Sequence, residues 1–215
     1  MIRNKNNLES EELRYKLIVI GDELVGKTAI LNRFKNNQFN AIYEPTVGLE
    51  FQSIPILIDD QSVNLLLYDV SGHQKFRSLI PLYASDVNII LLIYDISKNE
   101  SFNNIDKWFS FLNNINKNEV IFALVGNKSD LDYNRKVKIE EAEKYAKDHK
   151  MKIKFTSAYL DSKGVRSFLD ELILDYIKKI NAELQDEISI KKEAEEEKSV
   201  KLVPINKAKK RRKCC

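Results

Sequence analysis

Gly21-Asp22-Glu23-Leu24-Val25-Gly26-Lys27-Thr28 fits the pattern G-x-x-x-x-G-K-[ST] at every fixed position. Its flanks agree with it. Tyr15-Lys16-Leu17-Ile18-Val19-Ile20 reads as a buried strand ahead of the loop, and Ala29-Ile30-Leu31-Asn32-Arg33-Phe34 as a helix behind it. A phosphate cradle needs this strand–loop–helix order. The glycines let successive N–H groups turn inward around an anion, and the helix N-terminus adds the positive end of its dipole. Glu23, Leu24, Val25, Gly26, Lys27, Thr28 and Ala29 are therefore candidate phosphate-site residues. In such a loop the lysine reaches the β- and γ-phosphates and the hydroxyl ligates Mg²⁺.

The bulk composition narrows the class. A chain of 215 residues suggests one domain with extensions, and 43% hydrophobic residues are enough for a globular core. The longest apolar run, Ile89 to Tyr94, is far too short to span a membrane. The polar start (Met1-Ile2-Arg3-Asn4-Lys5) has no apolar segment of a secretory signal, and Ile2 does not fit N-myristoylation. Net charge is +3, yet Lys207 to Lys213 alone carry six positive charges, so the remainder sits at −3. A mildly acidic body argues against nucleic acid, and a basic tail suits an anionic surface. The two cysteines are the last two residues, Cys214 and Cys215, which excludes a disulfide scaffold. Glycine is scarce: six are present where average usage of ~7% would give about fifteen. Five of the six fall in or beside the motifs described here, which marks positions of required backbone geometry.

Read in order, residues 1–13 are a polar, flexible extension, 14–185 a single α/β domain, and 186–215 a flexible charged tail. Gln38 to Gly48 reads as an exposed loop, and Leu49–Ile58 and Ser62–Val70 as a hairpin. Val87–Tyr94, Val120–Val125 and Lys152–Phe155 read as further strands. Helices are expected from Ser101 through Ile115, over Ile139–His149 and over Val165–Leu184, each with an apolar stripe that packs on the core. Alternating strands and helices imply a mostly parallel sheet of six strands flanked by about five helices. The phosphate loop and the stretches 69–73, 126–130 and 156–158 each follow a predicted strand. They can converge at the carboxyl edge of the sheet, where such folds bind ligands.

Asn127-Lys128-Ser129-Asp130 resembles the guanine-specificity motif of GTPases. The Asp130 carboxylate would accept from guanine N1–H and the 2-amino group; adenine presents neither donor, so an ATPase or nucleotide kinase does not fit. Asp69-Val70-Ser71-Gly72 supplies the remaining parts of a phosphoryl-transfer site. Asp69 can hold Mg²⁺ through water, the Gly72 N–H can reach a γ-phosphate, and the Thr46 hydroxyl can join the same metal.

Together these residues resemble a small GTPase of the Ras superfamily, most closely its Rab branch, over about residues 14–182 and the two cysteines. Thr46-Val47-Gly48-Leu49-Glu50-Phe51, Tyr94-Asp95-Ile96-Ser97 and Phe76-Arg77-Ser78-Leu79-Ile80-Pro81-Leu82-Tyr83 carry the likeness, the last resembling the Golgi-associated group. The resemblance implies the P-loop NTPase fold of a G domain, a GTP/GDP switch that hydrolyses GTP with Mg²⁺, and a monomer. It implies that Phe39 stacks on guanine, Tyr43 covers the phosphates, and Ser157 and Ala158 meet guanine O6 by backbone. Phe51, Tyr68 and Tyr83 would form an aromatic patch read by effectors. It also implies an exchange factor, a GTPase activator, a GDP-dissociation inhibitor, a prenyltransferase with escort protein, and vesicle-tethering effectors.

Five positions depart from the family pattern. His73 stands where a glutamine orients the attacking water. Glu23 and Leu24 replace small or neutral polar residues, Tyr68 replaces Trp, and Tyr159 replaces the lysine that follows Ser-Ala. Slow intrinsic hydrolysis is expected, with a GTP-binding scaffold of little or no turnover as the alternative. Cys214-Cys215 resembles the double-cysteine geranylgeranylation signal rather than a C-a-a-X box. Two lipid chains and the basic run would hold the protein on the cytoplasmic face of a Golgi or endosomal membrane, cycling with the cytosol.

Overall fold

Leu17, Ile18, Val19 and Ile20 have no exposed surface, because β1 (Leu13–Ile20) lies inside the sheet with both faces covered. The computed structural model describes residues 13–59, 61–112, 115 and 119–200, with backbone alone at 187 and 190–200. Within that range α1 (Lys27–Asn36) follows β1, then the hairpin strands β2 (Leu49–Ile58) and β3 (Gln61–Val70). A 3₁₀ segment (Gln74–Leu79) leads into α2 (Ile80–Tyr83) and β4 (Ile89–Asp95). Next come α3 (Asn99–Asn103), α4 (Ile105–Ser110), β5 (Ile121–Asn127), a second 3₁₀ segment (Ser129–Asn134), α5 (Ile139–Asp148), β6 (Lys152–Phe155) and α6 (Ser162–Val200).

The six strands form one sheet in the order β2-β3-β1-β4-β5-β6. Only β2 is antiparallel, paired with β3 from Leu49↔Val70 to Ile58↔Gln61; the other pairings are parallel. The mostly parallel six-stranded sheet expected from the sequence is therefore present, with six α-helices among the described residues. Order reverses at β1, which has β3 on one side and β4 on the other. The loops after β1, β3, β5 and β6 thus open at the same edge.

Burial explains the central strands. All seven residues of β4 are buried, and each fully buried Leu or Ile side chain contributes about 1.5–3 kcal/mol. The expected helix from Ser101 through Ile115 is instead two short helices that meet at Asn104. Its apolar stripe still packs: Ile105, Trp108 and Leu112 are fully buried and Phe102 nearly so. The Asn104 side chain leaves the helix surface to donate to Asp22 Oδ2 at 2.7 Å, an attachment with no periodic signal in sequence.

The chain divides into two units, one ending at Tyr176 and one spanning Ile177–Cys215. In the first, Asn88 donates to the Tyr176 hydroxyl at 2.6 Å, joining the start of β4 to α6. In the second, the helix does not end at Leu184 but continues to Val200. The reason is composition: residues 185–200 are rich in Glu and Lys, both good helix formers, and contain neither Gly nor Pro. Of the extension expected over 1–13, Leu13 instead begins β1, and residues 1–12, like the basic run 207–213 and the cysteines, lie outside the described residues. No helix among the described residues is long and apolar enough to cross a membrane.

Candidate functional site

A cavity of about 780 Å³ opens at the carboxyl edge of the sheet. It is lined by Glu23, Leu24, Gly26, Lys27, Thr28 and Ala29 from the first loop, and by Phe39, Tyr43 and Thr46 from the loop before β2. Gly72 and His73 after β3, Asn127, Lys128 and Asp130 after β5, and Ser157, Ala158 and Tyr159 after β6 complete the wall. Of the residues nominated for nucleotide, only Val25 is not on this wall. It lies beneath, 1% exposed, where its carbonyl accepts from Asn127 Nδ2 at 2.8 Å.

The first loop is held by backbone geometry that sequence dictates. Gly26 sits at φ +94°, and a Cβ there would stand 2.3 Å from Asn127 Nδ2. Gly72 packs so closely that a Cβ would lie 2.4 Å from Glu23 N. Leu24 adopts φ +63°, a strained value for a branched residue. Its carbonyl is gripped by Lys128 Nζ at 2.7 Å. Lys128 also pairs with Asp95 Oδ2 at 2.7 Å. Burial alone would raise the Asp95 carboxyl, but hydrogen bonds from Lys128 and Ser97 outweigh it and hold the group below the usual carboxylate range.

At the phosphate end, Lys27 is buried and donates to the Asp22 carbonyl at 2.7 Å. Burial pushes its ammonium down to about 8, against the pull of the Asp69, Asp22 and Glu23 carboxylates. A phosphate beside it would favour the charged form. Thr28 donates to Asp69 Oδ2. The Thr46 hydroxyl lies 3.0 Å from that of Thr28 and 3.4 Å from Asp69 Oδ2. Asp69 is 4% exposed, and burial raises its carboxyl despite the hydrogen bond from Thr28 and the charge of Lys27. Its second oxygen, Oδ1, is buried without a hydrogen-bond partner. Two hydroxyls and one carboxylate with a spare oxygen are hard donors. They suit Mg²⁺, which binds through one or two carboxylates together with phosphate oxygens. No cluster of three His, Cys, Asp or Glu side chains stands among the described residues to make a softer metal site.

At the other end, Ser157 Oγ donates to Asp130 Oδ1 at 2.5 Å, and Asn127 Oδ1 accepts from the Ala158 N–H at 3.1 Å. Phe39 and Tyr159 form a tilted ring pair with centroids 5.1 Å apart. His73 is exposed; its Nδ1 accepts from the Lys75 N–H at 3.2 Å, capping the 3₁₀ segment.

Three contributors escaped the sequence reading. Arg33 donates to the carbonyls of Ala158 and Tyr159, both at 2.8 Å, and so fixes the loop after β6. Asp95 anchors Lys128. Asp22 accepts from Trp108 Nε1 at 2.7 Å. Arg33 and Asp22 act across 125 and 86 sequence positions, and no local pattern marks them.

Comparison with known proteins agrees with this geometry. Residues 16–179 match the family model for the Ras family. Ras-related protein Rab-11C of Dictyostelium discoideum is 31% identical over 167 residues, 78% of this chain and 74% of the relative. Ras-related protein RABA5c of Arabidopsis thaliana is 32% identical over 183 residues, 85% of each chain. With the phosphate loop, the Asn-Lys-x-Asp segment and the sheet order in place, these matches show that the chain belongs to the Ras family of small GTPases, on its Rab branch.

Proposed function

We propose that the protein is a Mg²⁺-dependent GTP/GDP switch that regulates vesicle trafficking from a prenyl-anchored site on an endomembrane. The observation that carries this is one cavity with the Thr28 and Thr46 hydroxyls at one end, backed by the Asp69 carboxylate that Thr28 donates to, and Asp130 with Ser157 at the other. The guanine edge would replace Ser157 as the donor to Asp130, with Asn127, Lys128 and the Ser157–Ala158 backbone framing the base and Phe39 against its face. Lys27 and the N–H groups of residues 23–29 would hold the β- and γ-phosphates, and Tyr43 would cover them. Thr28, Thr46 and, through water, Asp69 would hold Mg²⁺, which neutralises charge on the phosphate oxygens.

Hydrolysis is in-line attack of water on the γ-phosphorus. The new P–O bond forms as the bond to the β–γ bridging oxygen breaks, giving GDP and phosphate. Lys27 and the Gly72 N–H stabilise the transferring group, Thr46 closes its side, and His73 stands beside the attacking water. Cys214 and Cys215 take geranylgeranyl groups, and the basic run adds about 1 kcal/mol per charge near anionic lipid. The partners are an exchange factor, a GTPase activator, a GDP-dissociation inhibitor, a prenyltransferase with escort protein and tethering effectors. The protein cycles between cytosol and a Golgi or endosomal membrane.

A second reading, a GTP-binding scaffold with little turnover, is favoured by His73. Accepting from Lys75 uses the Nδ1 lone pair, so the neutral ring carries its proton on Nε2 and offers a donor to water, not a base. The test is phosphate release from bound GTP with protein in excess, with and without activators, beside competition by GDP, GTP and ATP. Release of phosphate supports the switch; tight GTP binding without release supports the scaffold; equal competition by ATP overturns both. Unmodified cysteines in mass spectra of the cell-derived protein would overturn the membrane anchor.

A further inference from the structure

Asp22 is the phosphate-loop residue that the nucleotide reading leaves unused. It does not line the cavity. Its carboxylate is turned to the α3–α4 side, where Oδ1 accepts from Trp108 Nε1 at 2.7 Å and from Arg77 Nη2 at 3.2 Å, and Oδ2 accepts from Asn104 Nδ2 at 2.7 Å. The Arg77 guanidinium also stacks on Trp108, 4.3 Å from the ring centroid. The Arg77 and Asp22 side chains are only 14% and 18% exposed.

These contacts join parts of unequal firmness. Trp108 is fully buried. The Gln74–Leu79 segment, by contrast, contains no buried residue, so little apolar packing holds it. Arg77 is its polar attachment to the body. The same phosphate-loop residue meets the other end of that stretch: a Cβ on Gly72 would lie 2.4 Å from the Asp22 carbonyl carbon. Lys27 donates to the Asp22 carbonyl oxygen.

We propose that Arg77 is a positioning residue. Through Asp22 and Trp108 it docks the Gly72–Leu79 stretch on the phosphate loop, and so couples that stretch to the presence of a terminal phosphate. The inference rests on the GTP-switch reading. Docking places the Gly72 N–H for a γ-phosphate and adds nothing for GDP, which lacks one. The coupling is reciprocal: whatever the docked stretch adds to GTP affinity, GTP adds to docking.

The test uses the full chain and the variants Arg77→Ala, Arg77→Met and Arg77→Lys, loaded with GDP or a non-hydrolysable GTP analogue. Methionine keeps apolar contact with Trp108, and lysine keeps the charge for Asp22. Affinities are read by displacement of fluorescent GDP. Trp108 is the single tryptophan of the chain, so its emission reports the stacked site directly. In the parent, exchanging GDP for the analogue should shift that emission. In Arg77→Ala and Arg77→Met, GDP affinity should stay within about twofold while analogue affinity falls about tenfold, a usual size of coupling, and the emission should no longer respond. Arg77→Lys should recover part of both. A parallel loss for GDP and analogue, or no loss for either, would overturn the coupling while leaving the switch reading intact. A parent that binds neither nucleotide would overturn the switch reading itself.

Discussion

The hydroxyls of Thr28 and Thr46 stand 3.0 Å apart, although 18 positions separate them and Thr46 lies in an exposed loop. Asp69 accepts from Thr28 beneath them, bringing a third segment of chain to the same point. The buried carboxylate, with Oδ1 unpartnered, is costly as it stands. A divalent cation would relieve that cost, as the proposed Mg²⁺ would.

Asp69→Asn should therefore lower nucleotide affinity in Mg²⁺ by about 10–100-fold, the usual effect of losing an orienting partner of a metal. The gap between affinities with Mg²⁺ and with chelator should narrow at the same time. Titration with fluorescent GDP under both conditions checks this. An undiminished Mg²⁺ effect in the variant would place the metal elsewhere.

Asp130→Ala should remove discrimination for guanine. Sites that pair with specific donors on a base reject analogues by about 10⁴ or more, and only Asp130 carries the carboxylate here. Ser157 would keep its acceptor role toward the Leu160 N–H at 3.0 Å, so the loop should hold its shape. Competition by GDP, inosine diphosphate and ADP measures the loss. Retained preference for GDP would shift the specificity to the Ser157–Ala158 backbone.

The two ends of the cavity differ in how legible they were. Gly21–Thr28 and Asn127–Asp130 could be read because each packs its chemistry into a few consecutive residues. The positions of the buried strands along the chain follow from continuous apolar runs such as Ile89 to Tyr94, whereas their order in the sheet does not. The break at Asn104 was hidden, because the apolar spacing of Phe102, Ile105 and Trp108 runs through it unchanged and its cause is a contact 82 positions away. Arg33 and Asp95 were hidden for the same reason: they act on backbone and charge far along the chain. The helix beyond Leu184 is hidden because a charged run reads as a solvated tail, although Glu and Lys also favour helix.

Asp95 sets an acid limit on the fold. Its folded-state pKa is depressed, so as pH falls the unfolded chain takes up the proton first. The stabilisation is complete above the ordinary aspartate value of about 3.9 and is lost as pH drops through the lower folded value. Asp95→Asn should flatten that acid limb and cost about 1–3 kcal/mol at pH 7 by leaving Lys128 without its charged acceptor. Urea unfolding between pH 3 and 7 measures both; an unchanged acid limb would assign it to other carboxylates.

Tyr159 bears on how long nucleotide stays. Its ring supports Phe39, and such pairs are worth about 0.5–1.5 kcal/mol beyond the area they bury. Tyr159→Lys restores the residue common in the family but removes that support. GDP should then dissociate about two- to twelvefold faster, read by stopped-flow release of fluorescent GDP. A slower release would mean that lysine holds the base loop better than the ring pair does.

His73→Gln tests the least ordinary residue of the site. The imidazole is tied down as the cap of the Gln74–Leu79 segment, and its Nδ1 is spent on the Lys75 N–H. Glutamine can present both an acceptor and a donor to a water, the arrangement that in-line attack uses. Single-turnover hydrolysis should rise by about tenfold or more, within the range for one well-placed proton-handling group. The lost cap should cost the segment about 0.5–2 kcal/mol, a loss the rate must overcome. Hydrolysis no faster than the parent, with GTP affinity retained, would show that His73 is not what limits turnover and would turn attention to Glu23 on the same wall. A rate gain that appears only with an activator would mean that the water is placed in trans.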